Sequence, residues 1–468
     1  MHPNKHLLPK KLTFVKLFAL LSVICALPSK GQCQQAGRIY LDSLLQVTVR
    51  NYPLIKAKRL QAQGLQYEVK LKQNGIIPSL VGSYQLDYAT YNNITGMVYP
   101  QYIIPISGPP SKSNIYPGVP GSAAALNLQW EPFTFGQRQS EVDLAKGRAE
   151  TGKADESLTV FNQQVFVINA WLNYLLAVDL IKVYQTDIDR QAYDLEQSQS
   201  LVSSGLRPGT DSSTFHAELA KARVQLLAFE QHRDSALIVL RKLTGGQLPA
   251  GPVIDTSLFQ NLPIANVSYD NAEHPEISLQ KSNIKTDELL LSAYKKTLMP
   301  KLTLWGTTYA RGSGVGADGT VNDNNGWQFE RYNYGFGAQL SFPFLEIFRQ
   351  QPLFKQQRLN IEASREQLAQ VQLQLQSDQE IADSALVKAI KAAKLLPEEL
   401  KAAKYSYDAI LSRYQSGLTS YYDVIQSLQL LYQAEASVKI AYWAAWEALL
   451  NSAAYKGNVD IFLNQYGK

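Results

Sequence analysis

Few residues of this 468-residue chain have types and spacings suited to chemistry. Beyond residue 31 the histidines are His216, His232 and His274, scattered along the chain without metal-ligand spacing. Cys25 and Cys33 lie at the extreme N-terminus. There is no Gly-rich phosphate loop with a lysine, no G-x-S-x-G, and no cysteine nucleophile with partners. Carboxylates are many, but they sit in mixed-charge faces such as Glu141 to Glu150, the usual make-up of a solvated helix surface. Two acids stand out by context. Asp211 follows Ser204-Gly-Leu206, and Asp423 follows Ser416-Gly-Leu418 at the same spacing. A glycine in a helix-hairpin turn supplies a positive φ, and an acid just inside a helix start caps it or complements its dipole. This inventory argues against an enzyme and expects no cofactor and no metal.

The elements that position these acids are written twice. Asn51-Tyr-Pro-Leu-Ile55 recurs as Glu273-His-Pro-Glu-Ile277, and Ile77-Pro-Ser-Leu80 as Met299-Pro-Lys-Leu302, both 222 residues on. Trp130-Glu-Pro-Phe133 recurs as Ser341-Phe-Pro-Phe344 at 211, and the Ser-Gly-Leu…Asp landmark at 212. Four landmarks in one order point to a duplicated architecture.

Residues 1–31 read as a secretory signal: four lysines (Lys5, Lys10, Lys11, Lys16), an apolar run from Leu17 to Leu27, then Ser29-Lys-Gly31. That run is too short to span a bilayer as a helix, which takes about 20 residues. A lone anchor and a lipid-modified Cys33 are alternatives. With Lys30 the leader holds five lysines and no acid, so the net charge of +5 falls to zero without it. Nothing indicates nucleic acid as a partner. No later apolar stretch is expected to reach membrane-helix length, so any entry into a membrane would be by strands.

Residues 32–272 form the expected first repeat, with helices over 38–74, 137–204 and 209–243, strands over 79–92 and 119–131, and a linker over 244–272. The second, 273–456, has helices over 274–298, 349–415 and 420–455 and strands over 301–311 and 332–342, and a C-terminal tail over 457–468 follows it. The strand segments alternate: Leu80, Gly82, Tyr84, Leu86 and Tyr88 oppose Val81, Ser83, Gln85 and Asp87, as membrane strands with a wet lumen do. A soluble hairpin would alternate similarly. The long helices would reach about 100 Å, the second kinked at Pro397. In the return helices Phe215, Leu219, Ala222, Leu226 and Phe229 repeat at 4,3,4,3, matched by Ser427, Leu431, Ala434, Val438 and Ala441, a coiled-coil spacing. Four strands cannot close a barrel, so membrane strands would require an oligomer.

This order of elements resembles the TolC family of outer-membrane efflux proteins over about residues 38–456. The matching marks are Tyr52-Pro53, Pro78, Pro132 with Gly136-Gln-Arg138, and Ser204-Gly-Leu206 with Asp211; then His274-Pro275, Pro300, Pro343 with Arg349, and Ser416-Gly-Leu418 with Asp423. The resemblance implies an α+β membrane protein: a homotrimer with a 12-stranded β-barrel in the outer membrane of a Gram-negative bacterium, and a coiled-coil α-barrel in the periplasm. It implies docking by a periplasmic adaptor, and through it an inner-membrane pump, with Gly205, Leu206, Asp211, Gly417 and Leu418 at the docking tips. Asp423 matches an acidic ring position at the closed aperture, and three such carboxylates about an axis would filter cations. Tyr414 matches a latch position. Gln426 stands where some relatives have a second acid and Thr419 where some have a latching arginine, which weakens both devices. Gly136 has no twin, since Ile347 holds its place. A secreted or periplasmic coiled-coil scaffold is the alternative reading.

Overall fold

A computed structural model describes residues 40–92, 110, 113–114, 116–248, 257–265 and 273–466. The leader, Cys33, much of the 99–120 connection and parts of the linker lie outside the described residues.

The first helical stretch is two helices, α1 (Leu41–Asn51) and α2 (Pro53–Gln73), where the sequence reading expected one over 38–74. Pro53 biases Tyr52 to extended backbone (φ −64°, ψ 125°) and then serves as the first helical residue, where its missing N–H costs nothing. His274-Pro275 repeats the device at the start of α5 (Pro275–Lys296). There His274 Nδ1 accepts from the Glu276 N–H at 3.1 Å, and Nε2 lies 3.2 Å from the Ala454 carbonyl. That histidine is a cap, and burial lowers its pKa.

Four strands follow in sequence order: β1 (Ser79–Ala89), β2 (Val119–Phe133), β3 (Lys301–Ser313) and β4 (Arg331–Ser341). They form one antiparallel sheet, β1-β2-β3-β4. Paired residues share a face. Tyr84↔Ala124, Leu80↔Leu128, Leu304↔Ala338 and Gly306↔Phe336 build an apolar face. Ser83↔Ala125, Asn127↔Thr307, Thr303↔Gln339 and Tyr309↔Asn333 build the other, largely polar one. Tyr84, Tyr88, Tyr332, Tyr334 and Phe336 on the apolar face are each more than 60% exposed. A contiguous exposed apolar face of this kind marks a protein or membrane contact surface. The outer strands β1 and β4 each have an unpaired edge in the single chain.

Each hairpin continues into a rod: α3 (Gln137–Ser203) returning as α4 (Gly209–Leu243), and α7 (Glu346–Gln415) returning as α8 (Tyr421–Tyr455). At 1.5 Å per residue α3 and α7 are each about 100 Å long. A four-residue helix, α6 (Asp323–Gly326), lies in the β3–β4 connection. The entries to the rods differ. Gly136 caps α3 in left-handed backbone (φ 92°), whereas Leu345 before α7 is right-handed, so Ile347 needs no glycine. The helix α7 continues through Pro397, whose ring removes the N–H that would otherwise bond the Ala393 carbonyl.

The core lies mid-way along the rods. Leu41 and Leu44 of α1 meet Ile168, Trp171, Leu172 and Leu175 of α3, Leu240 of α4, and Trp446, Leu449 and Leu450 of α8. This corrects two expectations. The helix α3 does hold an 18-residue window apolar enough to cross a membrane, but 56% of that window is buried inside the chain. The expected tail after residue 456 contains a helix, α9 (Asp460–Tyr466), whose Phe462 is fully buried against Trp446. The linker joins this layer too: Phe259 is buried there and Trp446 Nε1 donates to the Asn261 carbonyl at 3.0 Å.

Candidate functional site

Far from that core, both hairpins end in the same turn. Gly205 (φ 72°) donates to the Val202 carbonyl and Leu206 to Leu201, each at 3.0 Å. Gly417 (φ 77°) donates to Tyr414 at 3.0 Å and Leu418 to Arg413 at 2.9 Å. This paired bonding satisfies the last helical carbonyls and needs a left-handed residue, which a glycine adopts without strain. A Cβ at either glycine would meet nothing within 4 Å, so φ alone selects glycine. Leu206 and Leu418 project outward, about 70% exposed.

Beyond the turns the two tips diverge. In the second, Ser420 caps α8 and Asp423, third in the helix, closes a reciprocal capping box. Asp423 Oδ2 accepts from Thr419 Oγ1 at 2.5 Å, Ser420 Oγ at 2.8 Å and the Ser420 N–H at 3.1 Å. These bonds, led by the Thr419 hydroxyl, hold its pKa below the usual carboxylate range. Gln426 lies exposed one turn further on.

In the first tip Pro208 is the cap, with neither hydroxyl nor N–H to offer. Asp211, third in α4, is buried and turns to the other hairpin. Its Oδ2 accepts from the Tyr414 hydroxyl at 3.3 Å, and that hydroxyl also lies 3.5 Å from Ser198 Oγ. Tyr414 is 1% exposed, and burial raises its phenol pKa, with the Asp211 charge adding to the effect. Over its ring, 4.6 Å from the centroid, lies the Arg207 guanidinium. Arg207 Nη2 donates to the Thr419 carbonyl at 2.7 Å and the Tyr414 carbonyl at 3.1 Å. The structure therefore brings Tyr414, Asp211 and Thr419 together and leaves Asp423 within its own helix cap.

Arg207 was not among the residues expected here. At the repeat offset of 212 it is the counterpart of Thr419, the position where the family resemblance gives some relatives a latching arginine. The cation stands on the opposite hairpin and reaches across.

The family model described as outer membrane efflux protein matches residues 44–246 and 274–449. The chain belongs to the outer membrane efflux protein family. Among members of that family, the pyoverdine export outer membrane protein OpmQ of Pseudomonas aeruginosa is 22% identical over 323 residues, 67% of this chain and 65% of that protein. The aligned stretch thus spans a little under two thirds of the curated relative. The outer membrane protein VceC of Vibrio cholerae superposes with a TM-score of 0.68 at 14% identity, over 89% of this chain and 96% of that one. The open state of the MtrE outer membrane channel of Neisseria gonorrhoeae gives 0.66 at 15%, over 89% of each. At such identities the likeness is one of fold. For this member of the family, the fold is that of TolC-like channels.

Proposed function

We propose that this protein is a passive exit channel of a tripartite efflux or type I secretion system. Three copies close twelve strands into a barrel in the outer membrane, and their helices into a tunnel through the periplasm. The observation that carries this reading is the sheet: one exposed aromatic and aliphatic face, one largely polar face, and two open edges, on rods about 100 Å long. Lipid covers such a face, and only closure removes such edges. A periplasmic scaffold has no use for either feature.

The tips gate the tunnel. Arg207, Tyr414 and Asp211 tie the two hairpins of one chain together, and the tunnel opens when those ties break. The exposed Leu206 and Leu418 with their glycine turns receive the adaptor, which couples the channel to the inner-membrane pump. Asp423, tied on one oxygen by its cap, contributes to a ring of three carboxylates that attracts cations. The polar lumen selects little, and the cargo is set by the pump.

Fractionation and mass measurement in detergent test the reading. The chain is expected in the detergent-extracted outer membrane as a trimer that conducts in planar bilayers. A soluble monomer retaining its β content without detergent would refute it. Asp423→Asn is expected to weaken block by divalent cations, and unchanged block removes Asp423 from the ring.

A further inference from the structure

The last turns of α3 before the first tip carry polar residues where a coiled coil calls for apolar ones. Asp187, Gln191, Asp194 and Ser198 follow at spacings of 4, 3 and 4, continuing the row of Leu180 and Tyr184. All four are more than nine-tenths buried. Around the two carboxylates stand Arg190 of α3 itself, Glu218 of α4, Tyr407 of α7 and Glu435 of α8. Arg190 is committed elsewhere, to both oxygens of Glu435 at 2.7 and 2.8 Å. Two turns up the same helix Asp179 is handled differently, with Lys182 at 3.0 Å and Lys439 at 3.4 Å.

The bonding around Asp187 is incomplete in a specific way. Gln191 Nε2 donates to Asp187 Oδ2 at 2.7 Å, while Asp187 Oδ1 and Gln191 Oε1 are buried without a partner among the described residues. Both are acceptors, and what the pair lacks is a donor. One proton on Asp187 Oδ1 supplies it, turning a one-bond carboxylate–amide contact into a two-bond acid–amide pair. Asp194 already meets the Tyr407 hydroxyl, 3.0 Å from Oδ2 and 3.2 Å from Oδ1. Tyr407 and Tyr414 stand seven residues apart on α7, so they share a face, and Tyr414 reaches Ser198 and Asp211.

We propose that Asp187, with Asp194 beside it, is a proton-binding site whose occupation locks the closed packing of the helix seam and, through Tyr407 and Tyr414, the tip latch. This rests on the gating reading above. Burial, the largest cause, raises the pKa of both carboxyls to about 6 in the closed packing. Opening wets them and returns each toward 3.8. The closed form therefore binds protons more tightly. Its advantage is absent above pH about 6 and grows as pH falls, by roughly tenfold per carboxyl between pH 7 and pH 5. Asp423, held below the usual range, titrates beneath that window.

The full-length trimer in planar bilayers provides the test. Its resting open fraction is expected to fall at least ~10-fold between pH 7 and pH 5. Asp187→Asn with Asp194→Asn, neutral at every pH, is expected to be pH-independent and already closed at pH 7. Infrared difference spectra over the same range are expected to show a protonated-carboxyl stretch that the double variant lacks. A double variant that keeps the wild-type pH response overturns the proposal, as does a wild type with no such stretch. An Arg207→Ala variant recorded at pH 7 judges the gating reading separately: if it leaves the open fraction unchanged, the tips are not the gate.

Discussion

Asp211 and Asp423 hold the same position in the two repeats, third in a return helix after a glycine turn, yet one is buried against the opposite hairpin and the other is spent on its own helix. The difference traces to the cap. Ser420 offers a hydroxyl and an N–H, and Asp423 folds back onto both. Pro208 offers neither, and Asp211 turns to Tyr414. The residue just before the cap follows suit: Thr419 bonds locally to Asp423, while Arg207 crosses to the other tip. Duplication supplied two identical turns, and two adjacent substitutions made one tip self-contained and the other a clasp.

The comparison can be broken by making the tips alike. Arg207→Thr, which copies the second tip into the first, removes the cation over Tyr414 and its bonds to two carbonyls. Bonds to charged groups contribute about 1.5–3 kcal/mol, so the resting open fraction in bilayers is expected to rise about 10- to 100-fold. Pro208→Ser is expected to do less. It offers Asp211 a capping box at home, strengthening the start of α4 while loosening the contact to Tyr414. Hydrogen exchange should show greater protection at the first turn of α4 and less around Tyr414. Ser420→Ala sharpens the contrast from the other side. Loss of that cap costs about 1 kcal/mol of local stability, read as faster exchange at the start of α8 with gating little changed. Gly205→Ala and Gly417→Ala leave the contrast between the tips unchanged, each costing about 1 kcal/mol in thermal denaturation, because both turns demand the same positive φ and neither is crowded.

The sequence made the duplication, the strand pairs and the long rods legible, because alternation and helical period act over many residues and Pro53, Pro78, Pro275 and Pro300 punctuate them. It concealed what depends on distant neighbours. The sequence reading expects no membrane-length apolar stretch after the leader, yet the middle of α3 is one, and it is apolar because Trp446 and Leu41 pack on it. Seven residues of α9 are too few to signal a helix alone, and Phe462 is ordered by the core it completes. At the tips, Gly205, Gly417 and the cap at Asp423 follow from local rules. The clasp does not, since Arg207 and Tyr414 lie 207 residues apart and bond only because the hairpins lie side by side. The buried polar row of α3 was hidden for a like reason: Asp187 and Gln191 look like solvated surface until α4, α7 and α8 enclose them.

Single-channel recording of Asp211→Ala beside Asp423→Ala tests the division of labour most directly. The expected result is a resting open fraction raised roughly tenfold by the first change, with the second altering only divalent-cation block. Equal effects on the open fraction, or none from Asp211→Ala, would contradict the assignment of a clasp to one tip and a self-contained cap to the other.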